Sequence, residues 1–308
     1  MAPTTLDNLP EQVLPPEVTG PIFEKAADKS VIARLSGNVP VPIGGIAVPV
    51  NTQKPEVGVV GEGQEKPVSN VGGKFKMFKP VKLATIVVVS EAFARANVGG
   101  TYSRLSDDLA DAVARGVDLL TLHGRSPIDG TRVPDKEYID QTSNRVVLGS
   151  TPRDEGGIAG DFIAGYELIV NDESSDDFTG FAMDKRLRPR LMGATDVQGR
   201  PLLQTTANLA DPLDVVLGLP AAYARAVSGR VGASPDTSVR AYGGDWTQVR
   251  YGFAEEMTLR VSTEATLMID GEVVSLWQRN LVGLLIECWF AWAIGDVNAF
   301  AAYEMPGS

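Results

Sequence analysis

Side chains able to do nucleophilic or proton-transfer chemistry are sparse in this sequence. His123 is the single histidine and Cys288 the single cysteine of 308 residues. A Ser-His-Asp or Cys-His site would have to use His123. No G-x-S-x-G surrounds a serine and no H-E-x-x-H is present, so hydrolase chemistry is disfavoured. His123 closes a helical stretch and reads as a helix-end or interface histidine. One cysteine, set in the apolar run Leu281 to Ile294, excludes a disulfide framework and every multi-cysteine zinc or iron-sulfur site. Neither G-x-x-x-x-G-K-[ST] nor G-x-G-x-x-G stands between a strand and a helix, which leaves nucleotide binding without support. The acidic run Asn171 to Asp177 lacks the central glycine and terminal bidentate glutamate of a calcium loop, and reads as a solvated turn. Neither cofactor nor metal is expected. The basic run Lys185, Arg186, Arg188 and Arg190, with Asp184 beside it and the acidic run upstream, reads as one of two complementary patches between subunits. Trp277, Trp289 and Trp292 read as core or interface residues.

Composition narrows the class further. With 28 Lys+Arg against 39 Asp+Glu, the net charge of -11 repels phosphate backbones and disfavours sequence-specific nucleic-acid binding. A hydrophobic share of 44% is that of an ordinary globular chain, not of a disordered or fibrous one. The N-terminus has no basic segment followed by an apolar one, so no signal peptide is expected, and an intracellular, reducing setting fits. The longest apolar stretch, LVGLLIECWFAWAIG, is short of the about 20 residues a membrane helix needs and contains Glu287. No membrane span is expected.

The elements that must position these residues follow from pattern. TGPIFEKAADKSVIARL reads as a capped helix, and the Pro/Gly-rich NVPVPIGGIAVPV after it as extended backbone, together an arm. Alternation over Lys74 to Met77 and Lys82 to Val89 predicts a long β-hairpin whose tip, GEGQEKPVSNVGG, has almost nothing apolar to pack and should project into solvent or onto a neighbour. Leu105, Leu109, Ala112, Val113, Gly116 and Leu120 at helical spacing, with Gly124 as a stop, predict one helix over Thr101 to His123. GIAGDFIAGYELIV reads as a helix. FTGFAMD, WTQVRYGFAEEMTLRVST and SLWQRNLVGLLIECWFAWAI read as strands. Helices and mostly antiparallel strands without regular βα alternation predict an α+β fold.

The order of these parts resembles the major capsid proteins of tailed bacteriophages with the Hong Kong 97 fold, in the style of actinobacteriophages. The resemblance is carried by LPPEVTGPIFEKAADKSVIARLSG, KLATIVVVSEAFARAN, FAMDKRLRPRLMGATDVQGRPLL, LGLP and SLWQRNLVGLLIECWFAWAIGDVNAF, and covers nearly the whole chain. It implies an N-terminal arm over 1–49, an extended loop over 50–84, a peripheral domain over 85–155 and 260–308 holding the long spine helix, and an axial domain over 156–259. It implies hexamers and pentamers closing an icosahedral shell around double-stranded DNA, with portal, scaffolding and decoration proteins as partners. The virion capsid, assembled in the host bacterial cytoplasm, is then the protein's place. The acidic balance suits a container that should not trap its genome. The type member carries a large N-terminal scaffolding region that a protease removes. Here the arm motif starts within the first twenty residues, so scaffolding is expected as a separate protein.

Some members of that family join a loop lysine to a peripheral-domain asparagine, with a glutamate as catalyst. The resemblance places these roles on Lys66, just before a proline in GEGQEKPVSN, and on Asn280 and Glu287, seven residues apart in QRNLVGLLIE. An amine with a pKa of about 10.4 attacks only when neutral, so it needs burial and a base; a carboxylate in an apolar setting can take its proton as it adds to the amide carbon. Residues seven apart on a regular strand face opposite sides, so Asn280 and Glu287 require a bend near Gly283 or different subunits. A structural reading stands beside this: Lys66 as a solvated tip residue, Asn280 as a strand-end cap, and Glu287 as the partner of an arginine such as a neighbour's Arg279. Lys74, Lys76 and Lys79 are alternative donors, read as the outer face of the hairpin strand. Two other classes remain: a cellular encapsulin-type shell, and a soluble enzyme of unrelated fold.

Overall fold

The computed structural model describes residues 26, 29–51, 59–61, 65–66, 73–92, 101–171, 177–195, 214–269 and 271–306. Among the described residues, helices α1 (Val31–Leu35), α2 (Thr101–His123), α3 (Gly157–Val170) and α4 (Arg188–Met192) are interleaved with fourteen strands. In chain order these are β1 (Gly37–Asn38), β2 (Ile46–Asn51), β3 (Gly73–Phe78), β4 (Val81–Ser90), β5 (Asn144–Val147), β6 (Gly180–Met183) and β7 (Asp214–Val216). They continue with β8 (Leu219–Tyr223), β9 (Val239–Gly244), β10 (Val249–Ser262), β11 (Thr266–Ile269), β12 (Glu272–Ser275), β13 (Leu281–Ile294) and β14 (Phe300–Glu304). The fold is α+β, as the pattern predicts.

A four-stranded sheet, ordered β1-β10-β13-β4, carries the long helix on one face. The reason lies in β13, where strand alternation turns Ile286, Cys288, Phe290, Trp292 and Ile294 to one side. These join Leu109, Val113, Val117 and Leu120 of α2 in a single core. Each large side chain so buried contributes about 1.5–3 kcal/mol. The second sheet has six strands, β5-β14-β9-β6-β8-β7, with α3 packed on β5 and β14. Strands β5 and β14 enter it from outside the 156–259 segment that supplies the other four. Gly165 of α3 sits under Tyr303 of β14, where a Cβ would run into the tyrosine hydroxyl. Strands β7 and β8 turn through Leu217 and Gly218, both at positive φ (52° and 80°), the backbone of a two-residue type I′ hairpin.

Two predicted elements are redrawn. The helix expected over TGPIFEKAADKSVIARL is broken at Ser30, whose extended backbone and side-chain acceptance from the Ala33 N–H make it the cap of the five-residue α1. The residues before 26 lie outside the described ones. The expected hairpin is also re-paired: β3 pairs antiparallel with β2, which starts at Ile46 within the segment read as arm, while Val81–Ser90 leaves it to pair with β13. Pro80, between β3 and β4, sits where the chain passes from one sheet to the other.

The arm is clasped to the long helix by a buried carboxylate. Asp118 accepts hydrogen bonds from Ser30 Oγ (2.6 Å) and from the Val31 and Ile32 N–H groups (3.2 Å each), and is 1% exposed.

Candidate assembly and crosslinking site

Glu287 lies on β13 between Ala84 of β4 and Thr258 of β10. Alternation places it with Leu285 and Trp289 on the sheet face away from α2, and the same face of β4 shows Lys82, Ala84 and Ile86 to solvent. The apolar surround expected from the run Leu284 to Phe290 is therefore halved, because Ile286, Cys288 and Phe290 point to the other side. Glu287 pairs with Lys82, Oε1 to Nζ at 2.6 Å, with side-chain exposures of 19% and 43%. The Lys82 ammonium also lies 5.9 Å from the centroid of Trp289. Among the described residues of its own chain, Glu287's counter-ion is this lysine. Opposite Glu287 to Phe290, β10 changes register twice, between Phe253 and Glu255 and between Glu255 and Thr258. Such bulges re-aim a strand and are common beside functional sites.

Asn280 is exposed and closes the turn into β13 with φ of 49°, a left-handed conformation that asparagine tolerates better than most residues. Its carbonyl accepts from the Glu91 N–H (2.9 Å), and the Leu281 N–H donates to Leu276 O (2.9 Å). Asn280 is therefore suited to its turn by its backbone, and the residue is exposed. Lys66 is exposed in the β2–β3 connection.

The structure does not bring Asn280 and Glu287 together within one chain. From Leu281 to Phe290 β13 keeps unbroken register with β4, so no bend occurs at Gly283. At about 3.3 Å per residue, Asn280 and Glu287 stand about 23 Å apart along the strand. Only the route through different subunits remains open to them.

Lys76 behaves differently from expectation. It turns back onto its own chain, to Glu137 Oε2 and Ile294 O at 2.6 Å each. Phe75 and Met77 take the outer face, 75% and 53% exposed. The base of β3 lies against a carboxylate and a strand-end carbonyl, so the inward position favours the ammonium. Phe75 and Met77, next to the exposed Ala47, form an apolar stripe of the kind that marks a surface covered by another protein.

Sequence reasoning missed Lys82 and the buried carboxylates. Asp161, at 0% exposure, accepts from the Gly149 and Thr151 N–H groups and from Ser150 Oγ. A lone acid inside an apolar helical run was the available signal for both Asp118 and Asp161. His123 is buried at the end of α2, its Nε2 3.0 Å from Val227 O and its Nδ1 3.6 Å from Asp140 Oδ2. Burial pushes Asp140 up, but hydrogen bonding and charge from His123, then Arg145, hold it below the usual carboxylate range. This is a structural tie of the helix end. Burial also pushes the Cys288 thiol up to about 12, far from a reactive thiolate. An alkylating reagent at mildly alkaline pH is accordingly expected to label Cys288 only after unfolding; labelling of the native protein at the rate of a free thiol would contradict this packing.

The phage capsid family model matches residues 11–305. The chain is 28% identical over 312 residues to a probable major capsid protein, gp17, of Mycobacterium phage D29, spanning 97% of this chain and 92% of the relative. A solved structure from Gordonia phage Cozz aligns with a TM-score of 0.74 at 31% identity, covering 91% of this chain and 87% of the other. One from Mycobacterium phage Ogopogo aligns at 0.69 and 25% identity, covering 90% and 92%. The chain therefore belongs to the phage capsid family. Its fold is the Hong Kong 97-like capsid fold, and it is a major capsid protein of a tailed phage, a structural component of the virion shell.

Proposed function

We propose that this subunit assembles as hexamers and pentamers into an icosahedral shell enclosing double-stranded DNA without sequence-specific contact, and that neighbouring subunits are welded by a Lys66–Asn280 isopeptide bond with Glu287 as catalyst. The division into arm (1–49), extended loop (50–84), peripheral domain (85–155 and 260–308) and axial domain (156–259), and assembly in the host cytoplasm with portal, scaffolding and decoration proteins, belong to the same reading. The observation that supports it is the outward face of the hairpin: Phe75 and Met77 lie exposed on β3, and Lys66 is exposed in the connection that precedes it. Neither feature is explained by the isolated chain, and a neighbour accounts for both.

In the proposed step, a neutral Lys66 Nζ of one subunit attacks the side-chain amide carbon of Asn280 in a second. Glu287 of a subunit placed over that pair takes the amine proton and returns it to the departing nitrogen. One C–N bond forms, one breaks, ammonia leaves, and no oxidant or cofactor is consumed. Lys82 fixes the Glu287 carboxylate, and its ammonium must be shared or displaced when Lys66 arrives.

Purified particles sedimented intact, then boiled in denaturant with reductant and run on a gel, test both halves. Closed particles giving a ladder of covalent oligomers are expected. Closed particles giving one band at 32.8 kDa would keep the shell and remove the bond, and a monomer in solution would remove the shell.

A further inference from the structure

Helix α3 is apolar on nearly every side. Its sequence, GIAGDFIAGYELIV, holds two carboxylates and no cation in 14 residues, and a helix of that composition is normally covered all round. Phe162, Gly165 and Ile169 are buried against the sheet. Ile163, Tyr166 and Val170, at spacings of three and four, form an outer stripe that is 48%, 38% and 41% exposed. The ring of Phe178, 4.9 Å from that of Tyr166, holds the stripe in place.

A second apolar margin lies on β7, at the other side of the same sheet. Helix α3 packs on β5, β14 and β9, whereas β7 is the last strand at the opposite edge. Five strand spacings of about 4.8 Å put about 24 Å between β5 and β7. Val215 and Leu217 are 37% and 41% exposed there, Leu217 at the turn into β8. The two margins are level. From the sheet end where Asp161 accepts from the Gly149 and Thr151 N–H groups, α3 runs to the end where Tyr166 meets Phe178, two residues before β6. Strand β8 runs parallel to β6 with Ala221 beside Phe181, which brings the Leu217–Gly218 turn to that same end.

Charge follows the same division. At the start of α3, Asp154 and Glu155 are exposed, with Arg153 as the cation beside them. Past the far end of β6, Lys185, Arg188 and Arg190 are exposed, and Arg188 lies 5.4 Å from the ring centroid of Tyr223, the last residue of β8. Each margin thus has an apolar part at one end of the sheet and a charged part at the other, acidic beside α3 and basic beside β8. The acidic run at 172–176 lies outside the described residues. Complementary margins on opposite edges of one sheet cannot meet within a copy. Between copies they make a head-to-tail contact, the kind that closes into a ring when repeated by rotation.

We infer that the α3 stripe of one subunit docks on Val215 and Leu217 of the next copy in a ring, with Lys185 and Arg188 of that copy facing Asp154 and Glu155. This rests on the ring assembly proposed above. The apolar part supplies attraction between copies that each carry -11, and the charged part sets which edge meets which.

Cysteine pairing tests it, because the native Cys288 is 1% exposed. Subunits carrying Lys66→Arg, which removes the isopeptide proposed above, together with Val170→Cys and Leu217→Cys are assembled, oxidised with copper phenanthroline and boiled without reductant. Covalent oligomers up to pentamers and hexamers are expected, collapsing to monomer on reduction, whereas either cysteine alone should leave monomer. If Leu217→Cys lowers the melting temperature of the subunit, Val215→Cys takes its place and should give the same ladder. Ile163→Glu and Val215→Glu are each expected to lower the yield of closed particles at least about tenfold with the subunit's melting temperature unchanged, because each buries an unpaired charge in the contact. Closed double-cysteine particles that give only monomer, or full particle yield from Ile163→Glu, would overturn the inference while leaving the shell standing. Dimers from Val170→Cys alone would show α3 meeting α3 and overturn it as well. Wild-type subunits that form no rings would remove the ring reading and this contact with it.

Discussion

Particles built from Lys66→Arg subunits are expected to assemble and to run as one band at monomer mass after boiling in denaturant, where wild-type particles give a ladder. Arginine keeps the charge and most of the reach of the exposed Lys66 but stays protonated, with a pKa above 12, so it cannot attack an amide. Asn280→Gly should do the same by a different route. Glycine accepts the φ of 49° at least as well as asparagine, so the turn into β13 survives while the amide carbon that would be attacked is gone. Glu287→Gln should slow ladder formation by at least 10²-fold, the lower range for removal of a general base, while leaving Lys82 a hydrogen-bond partner. Because Lys82 already touches Glu287, a ladder that persists in Lys66→Arg and disappears in Lys82→Arg would show that the wrong lysine has been assigned.

Asp118→Ala should be the most damaging change to the subunit itself. The substitution removes the carboxylate that accepts from the buried Ser30 hydroxyl and from the Val31 and Ile32 N–H groups, and unsatisfied buried donors cost about 1–3 kcal/mol each. Relief of the desolvated carboxylate offsets part of this, leaving a net loss on the order of 3 kcal/mol. Chemical denaturation of unassembled subunits would read it, and a loss below about 1 kcal/mol would show that the clasp contributes little to stability. The pH dependence has a definite sign. Burial is the leading cause that raises the Asp118 carboxyl from 3.8 to about 6, against the lowering effect of Ser30, Ile32 and Val31. The folded chain then binds this proton more tightly than the unfolded chain. The group's contribution to stability is full below about pH 4 and is lost as pH rises through 6. Asp118→Asn should remove this dependence, so wild type minus variant should shift in favour of wild type between pH 7 and pH 5.

Long periodic elements were legible because burial enforces their period. The helix Thr101–His123 and the strand Leu281–Ile294 stand where the pattern of Leu109, Val113 and Leu120 and the apolar run at Cys288 place them. Pairing was less legible. Alternation shows that 74–77 and 82–89 are extended but not that β3 turns back to Ile46 while β4 leaves for β13, since partner choice depends on distant sequence. Side-chain direction on β3 was misread for a related reason: the inward place of Lys76 depends on Glu137 and the Ile294 carbonyl, which local sequence does not reveal. At the site, residue types and the seven-residue spacing were readable, whereas the Lys82 partner of Glu287 and the unbent strand at Gly283 required the sheet.

Asn280 and Glu287, held apart in one chain, are proposed to meet across subunits. Digestion of intact particles followed by mass spectrometry tests it most directly. The account predicts a branched peptide joining the segment that contains Lys66 to the one that contains Asn280, lighter than the two together by one ammonia, present in assembled particles and absent from unassembled subunits. Recovery of both segments only as separate, unmodified peptides from mature particles would contradict it.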